Sequence, residues 1–435
     1  MSWKQADWSG WGRALTASGQ LARPERQSTL AALMRDTPAP AIGGCRSYGD
    51  ACLNDGGRAV RTTRLDRVLS IDPEAATVTV EAGVTLGDLT RLLAPRGLLP
   101  AVLPGTGFAT VGGAIAMDVH GKNHHHAGSF GQHVLSLRLL TPGGPVEVTP
   151  GSDLFAATVG GLGQTGIIAE ATLRVLKCKG DVMVVTERRV PGWDDFLAAL
   201  DGSEASYCVG WIDATAAGDR LGRGILEEGE TGAGLIPPPG RARSVPFDAP
   251  AAALSPPVVR AFNAAYYNRV PRGGRTVVRR IGEYFFPLDR IHDWNRLYGK
   301  RGFYQFQCVV PVAAAPALRR MLERIAHSGL ASPLAVLKRM GPGRAGHLSF
   351  PMEGYTLACD FRNTPDAVAL IESLEDATQD AGGRIYLAKD ALATGAAVRS
   401  MYPDHGAWLR AVERVDPEGT MTTDLVRRLE LRNAA

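Results

Sequence analysis

Apolar and polar positions follow two rhythms along this chain. Thr77-Val78-Thr79-Val80-Glu81-Ala82 alternates with a period of two, as a strand with one buried face does. The rhythm then lengthens. Leu86, Leu89, Leu92 and Leu93 share one helical face, Thr85 and Asp88 form a capping-box pattern at its start, and Gly97 ends it. Ile167 to Val175 alternates again, with Ala169, Ala171, Leu173 and Val175 on one face. Tyr207 to Ile212 and Gln305 to Val310 read as apolar strands. Ala367 to Thr378 reads as a helix with Thr364 as cap, Pro365 in its first turn and Leu370, Ile371 and Leu374 on one face. Gly382-Gly383 stops that helix, and Arg384 to Ala388 reads as a short strand leading to Lys389-Asp390. Strands and helices interleave in an α+β pattern.

Residues 103–134, LPGTGFATVGGAIAMDVHGKNHHHAGSFGQHV, break both rhythms. Gly105, Gly107, Gly112, Gly113, Gly121, Gly128 and Gly131 would each weaken a helix or a strand. The stretch reads instead as backbone laid close against a bound molecule: its N–H groups can approach an anion, and Thr106, Thr110, His120 and Asn123 add side-chain donors. Taken alone, a set of tight turns in a β-rich fold remains an alternative. A second loop opens at Gly43-Gly44, where successive N–H groups can fold into an anion-binding nest. Gly161 to Gly166 matches GxGxxG, but the residues from Ile167 onward alternate as a strand, whereas a Rossmann fingerprint must open a helix. Nicotinamide binding by this motif is therefore rejected.

The motifs VLPGT, VGGAIAMDVHGKNHH and GSFGQHV resemble the FAD-binding core of the decaprenylphosphoryl-β-D-ribose 2-oxidase family, within the vanillyl-alcohol-oxidase-like flavoproteins. The likeness runs from GWGR at Gly10 to RRLEL near the C-terminus. It implies an α+β fold with a PCMH-type FAD-binding domain over 1–178, an inserted α+β substrate domain over 179–383, and a return to the first domain over 384–435. By the same resemblance, Gly43, Gly44, Cys45, Arg46, Ser47 and Tyr48 form the pyrophosphate loop. Gly105, Thr106, Thr110, Gly112, Gly113, Met117 and His120 belong to the second flavin loop, and Gly163, Gly166, Ile168 and Tyr386 complete the cofactor site. Cys45 stands where another glycine is expected, and is strained if that position needs positive φ. Arg46 occupies the slot of a histidine that attaches the flavin covalently in several relatives; arginine cannot make that bond, so a dissociable FAD is expected.

Flavin-dependent alcohol oxidation needs a positioned carbon, an acceptor for the hydroxyl proton and charge stabilisation at the reduced ring. The resemblance makes Lys389, in YLAKD, the first catalytic candidate, as base or as electrostatic partner. Tyr48, His120 and Lys122 are implied to line the same site. Gln305 and Gln307 lie two residues apart on one strand face, so their amides point the same way, as suits sugar hydroxyls. With Lys338, Trp211 and Ala358 they match the family's substrate positions, and a cation at Lys338 suits a phosphate. Two departures stand out. Family members that react with nitroaromatic inhibitors carry a cysteine in GWNICVDF, where Ala358 stands here and Cys359 faces the other way; and Phe285 replaces a frequent tyrosine. The run His124-His125-His126 has no regular spacing that would present three ligands to one ion, so no metal site is assigned.

Composition narrows the partners. A net charge of +4 over 435 residues, without a Lys/Arg run, gives a nucleic-acid role no footing. No secretory signal is visible, which points to the cytoplasm or a membrane surface, with a periplasmic location left open. Six cysteines without CxxC spacing fit reduced thiols better than a disulfide framework. Glu228 to Gly274, rich in Pro, Gly and Ala, is expected to be a mobile insertion, and by resemblance a lid. The resemblance implies a polyprenyl-phosphate-linked sugar as substrate, a nicotinamide-dependent keto-reductase as partner and peripheral membrane contact. A soluble alditol or sugar-lactone oxidase and a non-catalytic flavin-binding module are the alternatives.

Overall fold

The computed structural model describes residues 3–238 and 240–432 and has a mixed α/β architecture with several sheets. A four-stranded sheet runs in the order Lys4–Ser9, Thr16–Ala22, Arg58–Arg61, Ala41–Ile42. Beside it in sequence, a six-stranded sheet is built on Ile167–Lys177, the strand directly after the GxGxxG stretch. It pairs antiparallel with Thr77–Glu81, Val134–Thr141 and Leu98–Pro100. Its alternation is realised in packing: Ala169, Ala171, Leu173 and Val175 are buried while Arg174 and Lys177 are exposed. Helix Leu86–Leu93 comes after its strand as the pattern requires, with the Thr85 hydroxyl accepting from the Asp88 N–H at 3.1 Å and Gly97 in the left-handed region.

The third sheet has eight strands, ordered Arg275–Arg280, Val182–Val190, Gly224–Gly232, Tyr207–Ile212, Ala331–Met340, Gly354–Arg362, Phe303–Val310 and Arg384–Ile385. The largest apolar cluster fills one side of it, where Pro365–Asp380 and Ala315–Ser328 bury Ile371, Leu374, Met321 and Ile325 against Phe306, Cys308 and Leu357. Thr364 caps the first of these helices, accepting from the Ala367 N–H at 3.3 Å. After Arg384–Ile385 the chain packs helix His405–Val415 on Asp153–Thr158. Arg428 then binds Asp50 and Asp390 at 2.7 and 2.8 Å, so the C-terminal segment is fastened to the first third of the chain.

The insertion over 228–274 carries regular elements: the strand continues to Gly232, and Pro256–Asn268 is a helix that buries Val259 and Asn263, its first turn preorganised by Pro256. Two expectations are corrected. The glycine-rich stretch holds two short helices, Val111–Ala116 and His124–Ala127. Gly112 is tolerated there because contact outweighs propensity: a Cβ on it would lie 3.0 Å from the Ala82 Cβ, so only glycine lets this helix approach the neighbouring strand. The strand at 384 spans two residues, Arg384–Ile385, not five. No described helix is long and apolar enough to cross a membrane.

Candidate active site

One cavity of about 1030 Å³ collects the loops that break the periodic pattern of the chain. Gly43, Gly44, Cys45, Arg46, Ser47 and Tyr48 line it, together with Gly105, Thr106, Thr110, Gly112, Gly113, Met117 and His120. So do Gly163, Gly166, Ile168 and Tyr386. From the eight-stranded sheet come Trp211, Gln305, Gln307, Lys338 and Ala358, and the wall includes Lys122 and Lys389. Residues separated by more than 300 positions in sequence thus share one space.

The loop at 43–48 is a donor-rich cradle. Among the described residues, the N–H groups of Gly44, Cys45, Arg46 and Ser47 donate to no protein acceptor. Cys45 adopts φ 50°, the left-handed conformation that turns successive N–H groups to one side. The loop is held from both sides, the Trp11 N–H donating to the Ser47 carbonyl at 2.7 Å and the Tyr48 N–H to that of Ala388 at 2.9 Å. The Arg46 guanidinium lies 4.2 Å from the Trp11 ring centre and 4.6 Å from that of Phe108, and its buried Nε has no partner. Across from it, a Cβ on Gly105 would meet no protein atom within 4 Å. Unpaired donors, a cation and an open glycine wall fit the diphosphate and flat rings of a dinucleotide cofactor such as FAD.

Four basic groups and one acid meet farther along the cavity. Lys389 Nζ sits 3.4 Å from the centre of the Tyr48 ring. Burial lowers its pKa to about 7 against the opposing charge of Asp360, while burial raises the Asp360 carboxyl to about 7. Asp360 accepts from the Gln305 amide and, at 3.0 Å, from the Tyr298 hydroxyl. The Gln307 amide donates to His120 Nε2 at 2.9 Å, which leaves the ring proton on Nδ1, facing Lys338 Nζ at 2.9 Å. Lysine can accept that proton only as a neutral amine. Burial, reinforced by the charges of Lys122 and Lys389, favours this form and brings Lys338 to about 7; burial likewise keeps the His120 ring neutral, with its pKa well below the usual value. Lys122 donates to the Tyr284 carbonyl, lies 3.7 Å from that ring's centre, and is lowered to about 8 by burial.

The remaining candidates separate by position. Ala358 faces the cavity and Cys359 faces the core, fully buried, as adjacent strand residues must. Trp211 stands 4.7 Å from Tyr266 of helix Pro256–Asn268, its Nε1–H donating to the Pro333 carbonyl at 2.8 Å. Phe285 is buried against Tyr207, ring centres 4.9 Å apart. The three histidines diverge: His124 bonds the Gly343 carbonyl, His125 bonds that of Ala205, and the His126 ring lies 4.2 Å from that of His125, tilted by 46°.

Sequence reasoning missed three groups. Asp360 carries no motif of its own, although alternation from Ala358 puts it on the same strand face. Asp289 also lies outside any motif; its carboxylate accepts from the Thr106 hydroxyl at 2.8 Å and the Gly107 N–H at 2.7 Å, tying the 286–293 loop to the second glycine-rich stretch. The third is a cluster on the cavity wall, where Arg269 and Arg279 bind Glu187 and Glu227. No local signal announces it, because its members come from four separate elements.

Comparison with known proteins agrees with this outline. The family model described as an FAD binding domain matches residues 20–150. The chain is 37% identical to decaprenylphosphoryl-β-D-ribose oxidase of Mycolicibacterium smegmatis, the match covering 97% of each chain. It is 24% identical to L-gulono-1,4-lactone dehydrogenase of Mycobacterium tuberculosis over 97% of this chain and 98% of that one. With L-gulonolactone oxidase of Bos taurus it shares 31% identity over 34% of each chain. The full-length match, over the same loops that build the cavity, shows that this chain belongs to the decaprenylphosphoryl-β-D-ribose oxidase family.

Proposed function

We propose that this protein is an FAD-dependent oxidoreductase that oxidises the C2 hydroxyl of a polyprenylphosphoryl-β-D-ribose to the ketone. The observation that carries the reading is that one cavity joins a free N–H cradle to half-buried lysines and the buried Gln305, Gln307 and His120. The cradle residues, with Arg46, would hold FAD without a covalent bond, and bound FAD supplies the acceptor for the hydride lost from the carbinol carbon.

Every other task falls to side chains of this chain. Lys389, neutral above about pH 7 and placed over Tyr48, accepts the hydroxyl proton at Nζ. Asp360, opposite, stabilises the ammonium that results. The amides of Gln305 and Gln307 orient the sugar hydroxyls. Lys338 takes up a proton and pairs with the phosphate, giving up the hydrogen bond that its neutral amine accepts from His120 Nδ1–H. Gln305, Gln307, His120 and Asp360 are buried and the two lysines half-buried, which limits access of water to the reacting carbon.

In the same reading, residues 1–178 and 384–435 form a PCMH-type FAD domain, and 179–383 form the inserted substrate domain. The prenyl tail requires peripheral contact with a membrane, and the ketone passes to a nicotinamide-dependent keto-reductase. Anaerobic mixing of the yellow protein with polyprenylphosphoryl ribose tests the reaction. Bleaching of the flavin bands by this substrate, and not by free ribose or alditols, is expected. Bleaching by a soluble polyol or sugar lactone instead would assign the chain a soluble substrate; no bleaching by any sugar would make it a flavin-binding module.

A further inference from the structure

We infer that Cys45 and Cys52 form an oxidisable dithiol in the wall of the cofactor cavity, which a peroxide converts to a disulfide that loosens the hold on FAD. Both residues line the cavity, and Cys45 packs against the small cluster that contains Cys52, Leu53 and Trp8. Cys45 is held at φ 50°, a left-handed conformation that glycine adopts freely and other residues do not. That conformation places its sulfur beside two cations: Arg61 Nη2 donates to it at 3.5 Å, and the charge of Arg46 acts on it.

The two thiols are unequal, as a nucleophile and a resolving partner must be. The neighbouring Cys52 thiol, reinforced by the charges of Arg61 and Arg46, outweighs burial and brings Cys45 down to about 6, so it is largely thiolate at neutral pH. The influence of Cys45, together with burial, pushes Cys52 well above the ordinary thiol range. Cys208, Cys308 and Cys359 are also buried as neutral thiols, and burial raises Cys178 as well, so the nucleophilic character is specific to Cys45.

The chemistry balances with hydrogen peroxide as oxidant. The Cys45 thiolate attacks one peroxide oxygen; an S–O bond forms, the O–O bond breaks, and hydroxide leaves and is protonated to water. The Cys52 sulfur then attacks the sulfenic sulfur of Cys45; an S–S bond forms, the S–O bond breaks and a second water leaves. Two thiols lose two electrons in all, and one peroxide gains them. Bonding to Cys52 withdraws the Cys45 sulfur from Arg61 and closes a short loop containing Arg46, Ser47 and Tyr48. The donor cradle is carried by the same backbone.

The test uses the FAD-loaded full-length protein, titrated with hydrogen peroxide, alkylated and mapped by mass spectrometry. Cys45 and Cys52 should lose alkylation together, in a linked peptide that dithiothreitol reopens, about tenfold faster than Cys178. FAD should be released faster from the oxidised protein, read by its recovered fluorescence. Cys52→Ser should stop at a Cys45 sulfenic acid that dimedone captures, and Cys52→Ala serves if the buried site rejects a hydroxyl. Equal oxidation of Cys45 and Cys178, a sulfenic acid that never links to Cys52, or FAD release unchanged by the disulfide would each overturn the proposal. None of these readouts involves the sugar, so their failure leaves the proposed reaction untouched.

Discussion

Lys389 owes its chemistry to what surrounds it. In a sequence it is one lysine at a strand end, a type that is mostly solvated; in the fold it is half-buried over the Tyr48 ring and within the field of Asp360. Lys389→Ala should lower the rate of flavin reduction by about 10²- to 10⁴-fold, as loss of a general base does, with the visible spectrum of bound FAD retained. Stopped-flow reduction by the lipid-linked sugar reads this. In the unaltered protein the same rate should fall as pH drops through about 7, because the ammonium form has no lone pair for the hydroxyl proton. Lys389→Arg should not restore it, since guanidinium stays protonated. Ala358 supplies a second prediction at this scale. A nitroaromatic inhibitor reduced in the site should leave no covalent adduct here, and Ala358→Cys should gain one, visible as an added mass on the intact protein; adduct on Cys359 instead would reverse the strand-face assignment. Strand alternation made that assignment legible without coordinates. The shifted pKa values were not legible, because they depend on burial and on neighbours remote in sequence.

At the scale of elements, the wall of the cavity near Trp211 and Tyr266 is fastened by charge. Glu187, with no solvent exposure, lies in strand Val182–Val190; its partners are Arg275 and Arg279 of the adjacent edge strand and Arg269 at the end of helix Pro256–Asn268. Burial opposes ionisation of Glu187, but hydrogen bonds from Arg269 and Arg275 and the charge of Arg279 prevail, bringing its carboxyl down to about 2. Removing it leaves three arginines with Glu227, bound to Arg269 and Arg279, as their remaining carboxylate. Glu187→Gln should therefore cost about 3–5 kcal/mol in urea denaturation, and Glu187→Asp less. Regular elements with a clear period, such as Leu86–Leu93, Ile167–Lys177 and Pro365–Asp380, could be read from sequence because burial of one face selects them. Helix Pro256–Asn268 could not. It buries only Val259 and Asn263 and is held by Arg269 and by Tyr266 against Trp211, contacts that have no local periodicity.

Across the whole molecule, the cavity exists because distant segments are clasped together. Asp289 provides one clasp, joining the 286–293 loop to Thr106 and Gly107 of the glycine-rich stretch. Asp289→Ala should weaken FAD binding by about tenfold, the effect of roughly 1–2 kcal/mol from lost hydrogen bonds, measured as a faster release of flavin on dilution. Unchanged release would mean that the loop is held by other contacts. The sequence by itself determined the strands and helices of strong period, the strand rather than a helix that follows the GxGxxG motif, and the glycine-rich loops that line the cavity. These are local, fixed by side-chain spacing and by backbone conformations that only certain residues adopt. Tertiary structure alone decided that those loops meet Gln305, Gln307, Lys338 and Lys389 in one space, that the charge of Asp360 faces Lys389, and that Cys45 packs against the cluster holding Cys52. Such pairings join residues through three dimensions, and their energies come from desolvation and charge, which no single stretch of chain contains.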